Sequence, residues 1–263
     1  MTSTEIQDYI PEDEWPPVSA MLDGFGDQTL PASSALSNTA LNITAPEGSI
    51  TEYAFKDASS LVWSGPSGSG TAIYKAIEAR PGVFIIDFAR GEGSDAENVT
   101  IIFDRNTGAV TSGLSSFVTL DGRVRSTTAF TRSNADGSTT VHERSSGLVG
   151  KRIFYRYSDV ESYEHIYLNP GTFTWNCVRG GEAGLADTDR CMTWAVAEDL
   201  YIFFWTEKVM TVEAVLLVDL REQRSIGRMF GWDDPAAVPV ILPFNSRLSV
   251  LNTTEYPQDT HKH

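Results

Sequence analysis

The side chains best suited to chemistry concentrate in one stretch, Tyr163 to Trp175, YEHIYLNPGTFTW. Read with period two, it puts Tyr163, His165 and Tyr167 on one face of a strand and Glu164, Ile166 and Leu168 on the other. An imidazole titrates near neutral pH, where a phenol with a pKa of about 10 does not, so a histidine flanked by tyrosines is a candidate for general acid–base work. The candidate catalytic residues are therefore His165, Glu164, Tyr163 and Tyr167; Glu164 reaches the chemistry only if a neighbouring layer covers its face. The preceding run RIFYRYSD adds Tyr155 and Tyr157 to the same wall, and Trp175 opens the return strand. With Asp187, Asp189 and Arg190 of GLADTDR, expected at the end of a long loop at a cavity mouth, these form the candidate substrate-binding set. The competing reading makes the tyrosine rings core and the acidic loop an ion-paired clamp.

Other chemistries lack the residues they need. Once His261 and His263 of the tail are set aside, only His142 and His165 remain, so no histidine-based metal site is expected. Cys177 and Cys191 form no Cys-x-x-Cys pair, and reduced thiols packed as small hydrophobes are expected of them. The glycine-rich SGPSGSG from Ser64 to Gly70 lacks the Walker lysine and the dinucleotide fingerprint, and no G-x-S-x-G elbow occurs. No metal and no cofactor is expected. Glu207 and Lys208 follow the apolar run LYIFFW and read as a strand end meeting solvent.

The elements that position these residues are repeated. Thr51 to Trp63, TEYAFKDASSLVW, aligns without a gap on Tyr163 to Trp175, placing Glu52 under Glu164, Tyr53 under His165 and Trp63 under Trp175. Val83–Phe88 likewise matches Leu200–Trp205, and Val99–Asp104 matches Ala214–Asp219. Short β-type runs separated by Asp-Gly and Asn-Thr-Gly turn signals, duplicated at this period, predict an all-β fold of two tandem antiparallel barrels. The expected organisation is an irregular N-terminal arm over 1–48, a first barrel over 49–148, a second over 149–233, and a closing strap and tail over 234–263. In the arm, Pro11, Pro16, Pro17 and Pro31 forbid a long helix, while Trp15, Met21, Leu22 and Phe25 are placed to pin it to the body.

Of the 263 residues 35 are acidic and 20 basic, a net charge of −15 that repels nucleic acid and anionic membranes as partners. No apolar run approaches a membrane span, and the opening MTSTEIQDYIPEDEW has neither a basic nor an apolar targeting region, which predicts a cytoplasmic protein. The expected partner is a small apolar or aromatic ligand, and a homodimer is compatible with the pattern.

The segments YEHIYLN, FTWNC, GLADTD and LYIFFWTEK resemble the C-terminal domain of the family called molybdenum cofactor biosynthesis protein F (MoaF). MLDGFG, LVWSG and YKAIEARPGVFIIDF resemble its N-terminal domain, so the resemblance spans roughly residues 15 to 232. It implies two lipocalin-like, or calycin, domains, in agreement with the duplication. The family name implies molybdopterin work, for which the chain offers no nucleotide or metal motif, whereas relatives by fold include cofactor-free phenolic acid decarboxylases. The reading taken forward is a cofactor-independent lyase, isomerase or cyclase of secondary metabolism. It would act by proton transfer on an oxygenated aromatic, polyketide or terpenoid-like molecule. The alternative is a non-catalytic small-molecule carrier. On this reading His165→Phe folds but loses turnover by roughly a hundredfold or more.

Overall fold

A computed structural model describes residues 10–21, 24–255 and 257. Leu22, His261 and His263 lie outside the described residues. The chain folds as two closed antiparallel barrels of eight strands each. The first runs through β1 (Thr39–Thr44), β2 (Ile50–Phe55), β3 (Ser60–Gly65), β4 (Gly68–Arg80), β5 (Val83–Arg90), β6 (Glu97–Asp104), β7 (Ala109–Leu120) and β8 (Arg123–Ala135). Each strand pairs with the next, and β8 returns to β1. The β7–β8 hairpin turns on Asp121 and Gly122, both at positive φ (52° and 77°), the two-residue turn whose twist suits the flanking strands.

The second barrel runs through β9 (Lys151–Arg156), β10 (Ser162–Asn169), β11 (Thr172–Arg179), β12 (Ala186–Ala197), β13 (Leu200–Thr206), β14 (Val212–Asp219) and β15 (Arg224–Asp233). The strand β16 (Val238–Pro243) flanks β15, and β17 (Ser246–Thr253) joins β15 to β9 and closes the ring. Among the described residues no helix is long and apolar enough to cross a membrane.

The internal repeat survives at the level of register. Tyr53 faces Trp63 and Phe55 faces Leu61 across β2–β3; His165 faces Trp175 and Tyr167 faces Phe173 across β10–β11. The boundaries differ from expectation at both ends. Thr39–Thr44, assigned to the arm, is the first barrel strand, and Ser246–Thr253, assigned to the tail, is the last. Both are half-exposed strands in which two alternate residues, Leu41 and Ile43 or Ser246 and Leu248, are buried, so their apolar signal is thin.

Period two also explains the long apolar runs. In β5, Phe84, Ile86 and Phe88 fill the first barrel while Val83 and Ile85 face outward; in β13, Tyr201, Phe203 and Trp205 face the second interior while Leu200, Ile202 and Phe204 face outward. The two outward sets pack together, with Ile102, Trp194, Val215, Leu217 and Ile226, into a seam between the barrels. Strands buried on both faces have no polar side to show. Arg80 fastens the seam through a bidentate pair with Asp219 (2.9 and 2.5 Å) and bonds to the Glu198 and Asp199 carbonyls (2.7 and 3.1 Å). Arg228 does the same nearby, bound to Glu213, Thr100 and Ser115.

Candidate active site in the second barrel

Alternation on β10 sends Tyr163, His165 and Tyr167 into the second barrel, where Tyr155 of β9, Tyr157 just after it and Trp175 of β11 join them. His165 is enclosed by rings: Tyr155 at 4.4 Å between centroids, Phe173 at 5.1 Å, Trp205 at 5.7 Å and Phe203 at 6.0 Å. Its Nδ1 lies 3.5 Å from the Tyr167 hydroxyl, which shares a 2.6 Å hydrogen bond with that of Tyr155. Burial pushes the imidazole down to about 3, so it is neutral at physiological pH. The expectation that His165 titrates near neutrality is thereby corrected. An imidazolium has no polar solvation among these rings.

Glu164 does not join the site. It faces away from the barrel interior, where Arg152 grips both carboxyl oxygens and Asn176 donates to Oε2 (2.9 Å); the guanidinium holds the carboxyl below the usual range. Glu164 is itself buried on this face, while its partner Arg152 is 47% exposed, so the pair lies at the edge of solvent and not in the barrel interior. Asp187, Asp189 and Arg190 are also placed differently from expectation: they lie on β12, not on a loop, and alternation puts Arg190 on the face opposite the two acids. Asp189 turns inward, accepting the Trp175 indole N–H at 2.9 Å and the Lys208 amide at 3.2 Å, and burial raises it to about 6. Asp187 pairs with the Lys208 ammonium at 2.6 Å, and Arg190 is exposed on the opposite face.

Two residues absent from the candidate set complete the interior. The turn after β11, Gly180-Gly181-Glu182-Ala183-Gly184, folds back so that Glu182 is buried and accepts the Tyr163 hydroxyl at 2.6 Å. Gly180 sits at φ +137°, a backbone conformation that favours glycine, with the Glu161 carboxyl packed against its Cα. Glu207, expected to meet solvent, instead turns in beside Trp205. Glu182 Oε1, Glu207 Oε2 and the Tyr157 hydroxyl are buried without a hydrogen-bond partner. Burial raises both carboxyls, and Glu182 and Asp189 raise Glu207 further by like charge. A single glutamate set among three glycines was the legible signal for Glu182.

Glu182 and Glu207 share with Tyr163, His165, Trp175, Trp205 and Met229 a cavity of about 10 Å³, room for roughly one water. Met21 of the arm and Phe244 close it. The arm is fastened here by Trp15 edge-on to Trp175 (5.9 Å), by Phe25 against Tyr157 (4.9 Å) and Phe244 (5.0 Å), and by the Ser19 amide on Asp233 (3.0 Å). His142, the other imidazole considered, is remote from His165. It bonds Thr111 of β7 at 2.9 Å and is pushed down to about 4 by burial. Cys177 and Cys191 are free, buried, and raised to about 11 by burial. Among the described residues no group of three or more histidine, cysteine or acidic side chains could hold a metal ion.

Comparison with known proteins places this architecture. Residues 13–119 match the MoaF N-terminal domain and residues 142–254 the MoaF C-terminal domain. Protein MoaF of Klebsiella aerogenes is 31% identical over 263 aligned positions, covering 92% of this chain and 97% of that protein. The chain belongs to the MoaF family. The C-terminal match takes in all the strands of the second barrel, and the N-terminal match takes in most of the arm and the first barrel from β1 into β7, without β8. A solved structure described as a putative beta-lactamase from Burkholderia vietnamiensis is similar over 40% of this chain and 95% of its own, at 19% identity and a TM-score of 0.34, too weak a likeness to bear on function.

Proposed function

We propose that the second barrel of this MoaF-family protein binds a small, mostly apolar, oxygenated molecule and moves a proton within it, as a cofactor-independent lyase, isomerase or cyclase. The observation that carries this reading is the pair of enclosed carboxyls, Glu182 and Glu207, lining one cavity with Tyr163 and His165 and each holding an oxygen without a partner. An unsatisfied buried polar group costs about 1–3 kcal/mol, so a polar ligand group that completes these bonds is favoured there. Like charge and burial separate the two carboxyls, letting one keep its proton while the other acts as base. The ionised carboxyl takes a proton from a C–H next to the oxygen function, and the electron pair moves into that function. The protonated carboxyl then returns a proton to another atom of the same molecule, or to an oxygen that leaves as water. Tyr163 orients Glu182, and the neutral His165 offers an acceptor or an N–H without taking on charge. Trp175, Trp205 and Phe244 suit an aromatic or terpenoid-like body.

Entry requires the arm to lift, because Met21 and Phe244 close a space sized for a water. The test is capture of small molecules from a metabolite extract by the purified protein, read by mass spectrometry before and after incubation. A ligand whose mass or retention changes with wild type, and which Glu207→Gln captures without changing, supports the proposal. A ligand recovered unchanged from wild type makes the protein a carrier, and absence of any captured molecule removes the second barrel as a binding site.

A further inference from the structure

The seam between the barrels has two grooves, and the repeat makes them counterparts. One, of about 420 Å³, is lined by Arg190 and Met192 of β12, Phe204 and Thr206 of β13, and Glu213 of β14. The other, of about 390 Å³, is lined at the matching positions by Ile73 and Lys75 of β4, Asp87 and Ala89 of β5, and Asn98 of β6. The fold therefore accepts isoleucine where Arg190 stands, and the arginine answers no need of packing.

The first groove gathers cationic and hydroxyl groups. Arg144 enters it from the linker, stacked on Trp194 at 4.8 Å, its one side-chain hydrogen bond among the described residues being to the Pro170 carbonyl at 3.3 Å. Arg190 makes no side-chain hydrogen bond or ion pair among the described residues. Ser126 adds a hydroxyl along the wall, while those of Thr128 and Thr206 are already bonded, to Ser115 at 3.0 Å and to the Val212 carbonyl at 3.5 Å. The acid in the groove, Glu213, pairs with Arg228 through Oε1 while its buried Oε2 has no hydrogen-bond partner among the described residues; burial raises the carboxyl's affinity for a proton, which lessens the charge an anion meets.

We infer that this groove is a binding site for the phosphate of a phosphomonoester, gripped by Arg144 and Arg190 with Ser126 as a neutral donor. Forked guanidiniums match phosphate oxygens pairwise, and two of them approaching from different walls suit a tetrahedral oxyanion better than a planar carboxylate. The body of the molecule lies along Met192 and Phe204. The site is independent of the barrel interior.

The experiment follows the Met192 methyl signal by NMR during titration with inorganic phosphate, glycerol phosphate and acetate, with affinities from calorimetry. Saturable shifts with both phosphates and none with acetate are expected. Arg190→Met, a surface change that leaves folding intact, weakens binding by about tenfold or more, and Arg190→Lys recovers it in part. Glu207→Gln leaves phosphate binding unchanged. Lack of saturation with either phosphate, equal affinity for acetate, or unchanged binding by Arg190→Met would overturn the assignment.

Discussion

At the end of β5 the first barrel carries Arg90, and at the matching end of β13 the second carries Glu207. Arg90 lies over the Trp63 ring at 4.6 Å and pairs with Glu97 across the ladder at 2.5 Å. The residue that matches Glu97 in the second barrel is Val212, so Glu207 has no counter-charge across its strand. Further in, Tyr53 and Phe55 of the first barrel become His165 and Tyr167, and the inward position of Tyr74 becomes Cys191. The Tyr74 hydroxyl reaches the Asp57 carbonyl at 2.8 Å, while that of Tyr157 reaches nothing. One framework thus has two interiors: a largely apolar one in which Tyr74 is paired, and one that keeps enclosed acids and a bare hydroxyl at a cost in stability. Unpaired buried groups that persist in a fold able to dispense with them point to work done in the second barrel.

The largest effect expected breaks that contrast from the stable side. Phe55 is 1% exposed and packs on Tyr74 at 5.0 Å, so Phe55→Ala removes a ring from a filled interior and lowers unfolding free energy by about 3–5 kcal/mol in urea denaturation. Tyr157→Phe, which deletes the unpartnered hydroxyl, leaves stability unchanged or raises it. A large loss in Tyr157→Phe would mean that the second interior is built for stability as well.

Next comes Glu207→Gln, expected to lower turnover of the captured metabolite by roughly a hundredfold, about 2.7 kcal/mol, while raising thermal stability at neutral pH. The sign follows from the raised carboxyl: the native state binds a proton more tightly than the unfolded chain. Stability from this group is complete below its ordinary value of 4.5 and declines as pH rises from there through the raised native value, at no more than about 1.4 kcal/mol per pH unit. Asp189 adds a similar decline between its ordinary 3.8 and about 6. Melting temperatures across pH 4 to 8 should therefore fall less steeply for Glu207→Gln than for wild type. Parallel profiles would show that Glu207 is solvated.

His165→Phe is expected to have a smaller effect, about tenfold in turnover with the melting temperature preserved. The ring it replaces is neutral, is surrounded by Tyr155, Phe173 and Trp205, and stands where the first barrel uses Tyr53. The pH dependence of turnover should keep its shape, because the imidazole titrates at about 3, outside the assay range. A lost ionisation near neutrality would return the acid–base role to His165.

Much of this was legible where period two and repetition reinforce each other. The gapless match of two hairpins predicted the shared register of Tyr53–Trp63 and His165–Trp175, and alternation placed the tyrosine wall inside. What escaped depends on tertiary folding. Glu182 enters the barrel because a glycine turn bends back, and no local pattern fixes where such a side chain points. Glu207 follows an apolar strand just as a solvent-facing residue would; its burial depends on Glu182, Asp189 and the arm. The strands β1 and β17 were hidden because mostly exposed strands carry few apolar positions.

Glu164 supplies the smallest expected effect. It sits between Tyr163 and His165 in sequence, and by proximity it would be a natural acid. Strand geometry puts its side chain on the other face of β10, and its match in the first barrel, Glu52, keeps the residue type where that barrel has no imidazole. A group retained in both halves serves the shared framework rather than the chemistry peculiar to one. With Arg152 and Asn176 holding its oxygens, it has no free lone pair directed at the cavity and no raised affinity for a proton. Glu164→Gln should leave capture and turnover of the ligand unchanged, with a small decrease in melting temperature that salt diminishes, as expected of an ion pair reached by solvent. A drop in turnover comparable to that of Glu207→Gln, at unchanged melting temperature, would place the chemistry on the outer face of β10 and dissolve the contrast between the two interiors.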